Sequence, residues 1–481
     1  MSHYRQKKII NQMTFNNPIL IVMTLILALM SIFGSFGLGL WLYTGLTLVL
    51  TGVHIILLRR FEREKGDSPK SMKGLAWVLI AGLLIGNLFT FTSGATVVKE
   101  KITTSYQYSI YMVVADVFVI LVTLSNLFKP FVADHFVTMV ILLSLVLAFH
   151  LFVLVWGQGY KDFSQPGQIT LQVLLIASLL LGNLFALLVA IGLHRESQEF
   201  EYARRPSSVL DKLTNNAAAL LGLAFIIFLV MISITSYWSF SSEFAIVNDY
   251  DNILRNPSLT YPFGTDNFGR DVFSRVVLGA RISFFVGFLS TILPFFVGGL
   301  LGAVSGFYGN KVDNVIMRLL DVLYAIPGLV LAITIVAAFG TSIPNLILAL
   351  SIGGIPAYAR TMRGDVLQVV NYEYVESSYA LGQSDWNIIR KHIIPNAMSS
   401  MIVIASVEIG TAVIAVSSLS FLGLGVEPQV PEWGNILQTG SEFLETDPHL
   451  AIFPGIAIIL LVLSFNFLGD GLRDATDPKT R

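Results

Sequence analysis

The sequence predicts an all-α, polytopic integral membrane protein with about twelve transmembrane helices of roughly twenty residues each. Composition is the first reason: of 481 residues, 54% are hydrophobic and only 13% charged. A mean hydropathy of +0.72 lies far from that of an ordinary soluble domain. Pattern is the second, because apolar runs of spanning length recur from one end of the chain to the other, separated by short polar segments.

Taken in order, the first group of runs lies at 18–35, 39–58, 74–94, 109–128, 135–157 and 168–194. The second lies at 216–238, 282–306, 318–339, 343–359, 398–423 and 452–471. Basic residues orient them. The segment 59–73 carries six Lys or Arg, 194–212 carries four, and Arg473, Lys479 and Arg481 close the chain, so these sides are cytoplasmic. The loop 426–450 has no Lys or Arg but holds Glu427, Glu432, Glu442, Glu445 and Asp447, which places it outside. Both termini are then cytoplasmic, as is the polar stretch 360–397. The opening MSHYRQKK, followed by an apolar run without a small-residue cleavage pattern, reads as an uncleaved first span.

The most informative polar segment is 373–396. Tyr374, Val375, Ser378 and Leu381 recur at helical spacing, so they share one face of a short amphipathic helix. Gly382 can close that helix in the left-handed conformation, Ser384 or Asp385 can cap a second, and Pro395 suits the first turn of the next apolar helix. The pattern resembles the EAA loop of binding-protein-dependent ABC import permeases. The matching positions are Glu376, Ser377, Ser378, Gly382, His392, Ile394 and Pro395; both consensus alanines are serines here, and His392 stands where the consensus has Ile. Four further blocks, at 261–287, 306–333, 418–425 and 453–478, are similar to the dipeptide, oligopeptide and nickel branch of that family, closest to its C-type subunit. One departure is Val416, which occupies a region where the family often carries an acid, while Glu408 lies about two turns upstream.

The resemblance implies a six-helix type I ABC importer permease core at 206–481, with a coupling loop at 361–397, preceded by an accessory membrane domain of six helices at 1–205. It implies a permease subunit forming half of a pathway for di- or oligopeptides delivered by an external binding protein. The implied partners are a second permease, two cytoplasmic ATP-binding subunits and that binding protein, in a bacterial or archaeal cytoplasmic membrane surrounded by lipid. Coupling to the ATPase is implied for Glu376, Ser377, Ser378, Ala380, Leu381, Gly382, Asp385, Ile394 and Pro395. Asp266, Arg270, Asp271 and Trp433 are candidates for the external surface, and Glu408 for the pore.

Residues 266–281 read as a helix lying flat on the outer surface, with Arg270, Asp271, Arg275 and Arg281 wet, and Trp433 as an interfacial anchor. Gly298, Gly302 and Gly306 form a small-residue stripe for close helix packing. Asp116 and Glu408 fall inside spans and must face protein or water. His54 and His150 read as isolated packed side chains, and no ligand spacing points to a metal. A phrase recurs at Gly86-Asn87-Leu88-Phe89, Ser125-Asn126-Leu127-Phe128 and Gly182-Asn183-Leu184-Phe185, too short by itself to establish duplication.

The chain has no phosphate-binding Gly-x-x-x-x-Gly-Lys-Ser/Thr loop, so it cannot hydrolyse ATP by that route; the resemblance implies that ATP and Mg are held by partner subunits and that the chain itself is no enzyme and holds no cofactor. A net charge of −1 points away from nucleic acid, and the absence of cysteine removes disulfide and thiol chemistry. Two other readings fit the span count: a twelve-span secondary transporter working alone, suggested by the intramembrane acids, and a membrane sensor or scaffold built on a permease fold.

Overall fold

The computed structural model describes residues 3–33, 38–63, 70–82, 86–99, 102–197 and 209–476. Their regular structure is helical, apart from one antiparallel bridge between Thr265 and Asp271. In lipid this is forced, because a helix satisfies its backbone groups within the segment. Packing divides the chain into two compact units: Met1–Phe118 with Leu143–Ile227, and Val119–Leu142 with Phe228–Thr480. These units differ from a cut at residue 205, since 119–142 packs with the second unit and 209–227 with the first.

The first unit contains α1 (His3–Phe33), α2 (Leu38–Arg63), α3 (Lys70–Ile80), α4 (Leu88–Val98), most of α5 (Thr104–Leu124) and α6 (Phe136–Trp156), then α7 (Gln165–Ala177) and α8 (Leu184–Ser197). Two of the runs expected to span once do not. The run 74–94 is divided between α3 and α4, which fold back on each other so closely that a Cβ on Gly94 would lie 2.5 Å from the Ala76 carbonyl. Gly86 reverses the chain at φ +74°, and the Asn87 side chain caps α4 by accepting from the Thr90 N–H at 3.2 Å. The run 168–194 divides likewise into α7, a 3-10 turn at Ser178–Leu181, Gly182 at φ +83°, and α8. Hydropathy cannot distinguish a span from a hairpin of the same apolar length; the glycine and the capping asparagine make the difference.

Buried polar groups in this unit find one another. His150 is not isolated: its Nδ1 lies 2.5 Å from Asp116 Oδ2 and its Nε2 lies 3.2 Å from Ser178 Oγ, while Asn183 donates to Asp116 Oδ1 at 2.8 Å. His54 Nε2 lies 3.0 Å from the Met13 carbonyl oxygen.

The second unit contains most of α9 (Ala217–Ser239), then α10 (Val272–Tyr308), α11 (Asn310–Tyr324), α12 (Gly328–Phe339), α13 (Ile343–Val369), α14 (Glu373–Ala380), α15 (Asp385–Ile388), α16 (Ile394–Phe421), α17 (Trp433–Ser441) and α18 (His449–Thr476). Residues 318–339, expected as one span, are bent: α11 and α12 meet at 81°. Among the described residues, seven helices are long and apolar enough to cross a membrane, or eight if that bent pair is one span.

The expected glycine stripe joins α10 to α13. A Cβ on Gly298 would lie 2.6 Å from the Ile355 carbonyl, one on Gly302 2.3 Å from that of Ala359, and one on Gly306 3.0 Å from that of Arg363. Here backbone meets backbone, so no side chain can retreat to make room. Polar groups extend the seam: Arg363 grips Asp313 of α11 with two bonds of 2.5 Å, and Asp313 also accepts from Ser305 of α10 at 2.5 Å.

Replacing Gly302 with leucine should therefore lower stability by about 1–3 kcal/mol, the usual range for overpacking. Gly364 on α13 has open space around it, and Gly364→Leu should not carry that packing cost. Thermal unfolding of the two purified variants in the same detergent checks this: equal midpoints would deny that the seam is in backbone contact.

Candidate functional site

The polar segment 373–396 folds as two short helices joined by a tight reversal. After α14, the Gly382 N–H donates to the Tyr379 carbonyl at 2.9 Å and the Gln383 N–H to the Ser378 carbonyl at 3.2 Å. This pair of bonds is a Schellman closure with Gly382 at φ +71°, as its spacing suggested. No atom lies within 4 Å of where a Gly382 side chain would begin, so conformation alone calls for glycine there. A single π-helical turn, Ile389–Ile393, then leads into α16, with Pro395 in its first turn.

One face of this segment is anchored and the other is free. Val375, Ile388, Ile389 and Ile393 are fully buried, in a cluster with Phe295 and Ala303 of α10, Tyr358, Met362 and Val366 of α13, and Ala397 and Met401 of α16. Ser378 is also buried and bonds back to the Tyr374 carbonyl at 2.7 Å. Glu376, Ser377, Ala380, Leu381, Gly382, Asp385 and Pro395 are exposed, and Ile394 is half-buried. Leu381 is 79% exposed and Trp386 50%, beside exposed Tyr372, Tyr374 and Tyr379. Large apolar side chains held outward on a rigid polar loop form a surface suited to a protein partner. Sequence spacing placed Leu381 on the same helical face as Val375, but the turn at Leu381 redirects it outward.

Deeper in the unit, Glu408 of α16 lines a cavity of about 250 Å³ together with Ser290, Thr291, Tyr358, Gly353, Gly354 and Thr411. Pro294, Leu329 and Leu350 share the lining, so one carboxylate and a few hydroxyls stand in a largely apolar recess.

Residues 266–281 do not form a helix lying on the surface. The α10 helix starts at Val272, where the Asp271 side chain accepts from the Ser274 N–H at 2.8 Å, and runs on without a break to Tyr308. Asp266, Arg270, Asp271 and Trp433 are all buried, at 4%, 5%, 1% and 1% exposure. They act as fasteners. Asp266 Oδ2 accepts from Arg270 Nε at 2.8 Å, Arg275 donates to the Ala245 carbonyl at 2.7 Å, and Trp433 Nε1 donates to the Val276 carbonyl at 2.9 Å. What they could offer a partner is thus a shaped backbone and not their own side chains. Sequence reasoning counted Glu432 only among the acids of the loop 426–450; it is fully buried and caps α17 through bonds from Gly434 and Asn435 at 2.9 and 3.1 Å, while Ser283 of α10 donates to its other oxygen at 3.0 Å. Its place just before an apolar-and-glycine helix start was the available signal.

Comparison with known proteins locates this unit. A family model described as "Binding-protein-dependent transport system inner membrane component" matches residues 298–481. A glutathione transport system permease protein, GsiD, from Pectobacterium atrosepticum is 42% identical over 269 residues, covering 56% of this chain and 89% of that protein. GsiD of Escherichia coli is 44% identical over 257 residues, covering 53% and 85%. A solved structure of the MetNI methionine ABC transporter overlaps 42% of this chain and 97% of its own, at 19% identity and a TM-score of 0.36, too low to carry an argument.

The glycine closure makes a local prediction. Gly382→Val should strain the left-handed turn by about 1–2 kcal/mol and raise hydrogen exchange at the Gly382 and Gln383 amides. Gly382→Asn, which tolerates that conformation, should keep their protection. Equal exchange in both variants would remove the Schellman closure from the account.

Proposed function

The chain belongs to the binding-protein-dependent transport system inner membrane components as an ABC importer permease subunit, and we propose that it forms half of a pathway for short peptides of the glutathione class. It is a non-catalytic membrane subunit, with ATP hydrolysis in partner subunits. Family membership separates this reading from a carrier working alone and from a sensor.

The observation that carries the mechanism is the two-faced loop 373–396: exposed Leu381 and Trp386 on one side, and on the other Val375 and Ile388 packed into the cluster shared by α10, α13 and α16. In the proposed assembly, this chain pairs with a second permease, an external binding protein delivers substrate, and two cytoplasmic ATPases hold Mg and ATP. Glu376, Ser377, Ala380, Leu381, Gly382 and Asp385 meet an ATPase. ATP-driven closure pushes the loop, and the shared cluster obliges α10, α13 and α16 to move with it as packed bodies, switching access to the pathway. Pro395 and Ile394 begin the helix that carries this movement toward Glu408. A carboxylate there suits the amino group of a peptide, and the surrounding hydroxyls suit its amide groups. The termini are cytoplasmic in this arrangement, and residues 1–205 act as an accessory membrane domain.

The substrate reading rests on likeness to the GsiD proteins, which are glutathione transport system permease proteins. Proteoliposomes holding the four-subunit assembly, with binding protein outside, test it. Labelled glutathione should accumulate only with ATP, unlabelled short peptides should compete, and Ni²⁺ should not. The chain purified alone should hydrolyse no ATP. Ni²⁺ uptake without peptide uptake would overturn the substrate, and hydrolysis by the isolated chain would overturn the division of labour.

A further inference from the structure

The two helical hairpins of the first unit are copies of each other at a fixed distance of 96 residues. Without a gap, 75–89 (LAWVLIAGLLIGNLF) aligns with 171–185 (LQVLLIASLLLGNLF), with identity at Leu75, Leu79, Ile80, Ala81, Leu83, Leu84 and the four residues from Gly86 to Phe89, ten of fifteen positions. His54 and His150 stand at the same offset on the preceding helices α2 and α6. Geometry repeats with the sequence. In the first hairpin Gly94 packs on the Ala76 carbonyl; in the second, Gln172 donates to the Ala190 carbonyl at 3.1 Å, and 76 to 172 and 94 to 190 are again steps of 96. Both turns place their glycine at positive φ, +74° and +83°. In both copies the first long helix offers a buried polar side chain to the hairpin: Asn16 of α1 donates to the Phe89 carbonyl at 2.9 Å and to Ser93 Oγ at 2.7 Å, and Asp116 of α5 accepts from Asn183.

Length decides how such hairpins sit in a bilayer. The α3 and α4 arms have 11 residues each, about 16 Å at 1.5 Å per residue, roughly half the hydrocarbon thickness of about 30 Å. Each hairpin enters and leaves on one side, so it adds nothing to the parity of crossings. A single crossing at 74–94 would put the connection 125–135 on the cytoplasmic side, opposite Asp271. The structure has them together. Lys129 and Asp271 form a fully buried ion pair, and Phe131 stacks on Phe244 with ring centroids 4.5 Å apart, all within the second unit. Burial pulls the Lys129 ammonium below the ordinary lysine range, and Asp271 counters it. Such a pair tolerates loss of either partner poorly.

We propose that residues 1–197 are a tandem duplication of a module made of two spanning helices and one re-entrant hairpin. Four spans here and six in the second half give ten instead of twelve. The duplication sets the loop 125–135 on the external face, where Lys129 completes the capped start of α10. Its neighbours shape that face: Pro130 lines a recess of about 630 Å³ with Arg255, Asn256 and Tyr261, and His135 lines one of about 580 Å³ with Trp238, Arg281 and Glu427.

The chain contains no cysteine, so single-cysteine labelling reads the topology without background. The exposed positions Asp134→Cys, Asp162→Cys, Ser258→Cys and Arg473→Cys are labelled by a membrane-impermeant maleimide, before and after permeabilisation, in the assembled complex. Asp134→Cys should react like Ser258→Cys, and Asp162→Cys like Arg473→Cys. The opposite grouping would overturn the proposal whichever side proves external. As a second measurement, Lys129→Met should weaken retention of the Asp271 cap, read as faster exchange at the Ser274 amide; unchanged exchange would deny the brace.

Discussion

The close approach of α10 to α13 at Gly298, Gly302 and Gly306 is the constraint on which the permease unit rests. Lipid gives two helices no hydrophobic reason to associate, so van der Waals contact between bare backbones must supply it. Once the two are in contact, one end of the pair presents Ala303, Met362 and Val366 to the loop 373–396 as one surface. Val375, Ile388 and Ile393 fill that surface. A loop seated this way cannot shift without disturbing the helices.

At the other end, buried polar groups do the fixing. Asp271, Arg275, Glu432 and Trp433 each satisfy backbone or side-chain partners out of water. The satisfaction is partial, since Asp271 Oδ1 and Arg275 Nη2 are buried without a hydrogen-bond partner among the described residues, and such groups are costly. The result is a unit with a polar network at one end, a tight middle and a loop with one exposed side.

Much of this was legible in sequence where local chemistry determines local form. Gly382 closes α14, Pro395 opens α16, and the glycine stripe packs helices, because each depends on backbone rules that neighbours cannot override. The runs 74–94 and 168–194 were misread for one reason: hydropathy counts apolar length and is blind to direction, so a chain that turns back at Gly86 or Gly182 looks like a crossing, and the same blindness hides the bend after Tyr324 within 318–339. Asp266, Arg270, Asp271 and Arg275 were expected to be wet because a charge beside an apolar run usually faces water. Their mutual pairing, and bonds to carbonyls distant in sequence, are tertiary facts that no local pattern encodes. Leu381 belonged by periodicity to the buried face and is instead among the most exposed apolar side chains, since the helix ends one residue before it.

The central claim is that the exposed face of 373–396 meets an ATPase while its buried face moves the pathway helices. A photo-crosslinking amino acid at Leu381 in the intact importer tests it most directly. The account predicts a crosslink to an ATP-binding subunit whose yield changes with nucleotide. Crosslinks confined to lipid or to the second permease, unaltered by nucleotide, would contradict it.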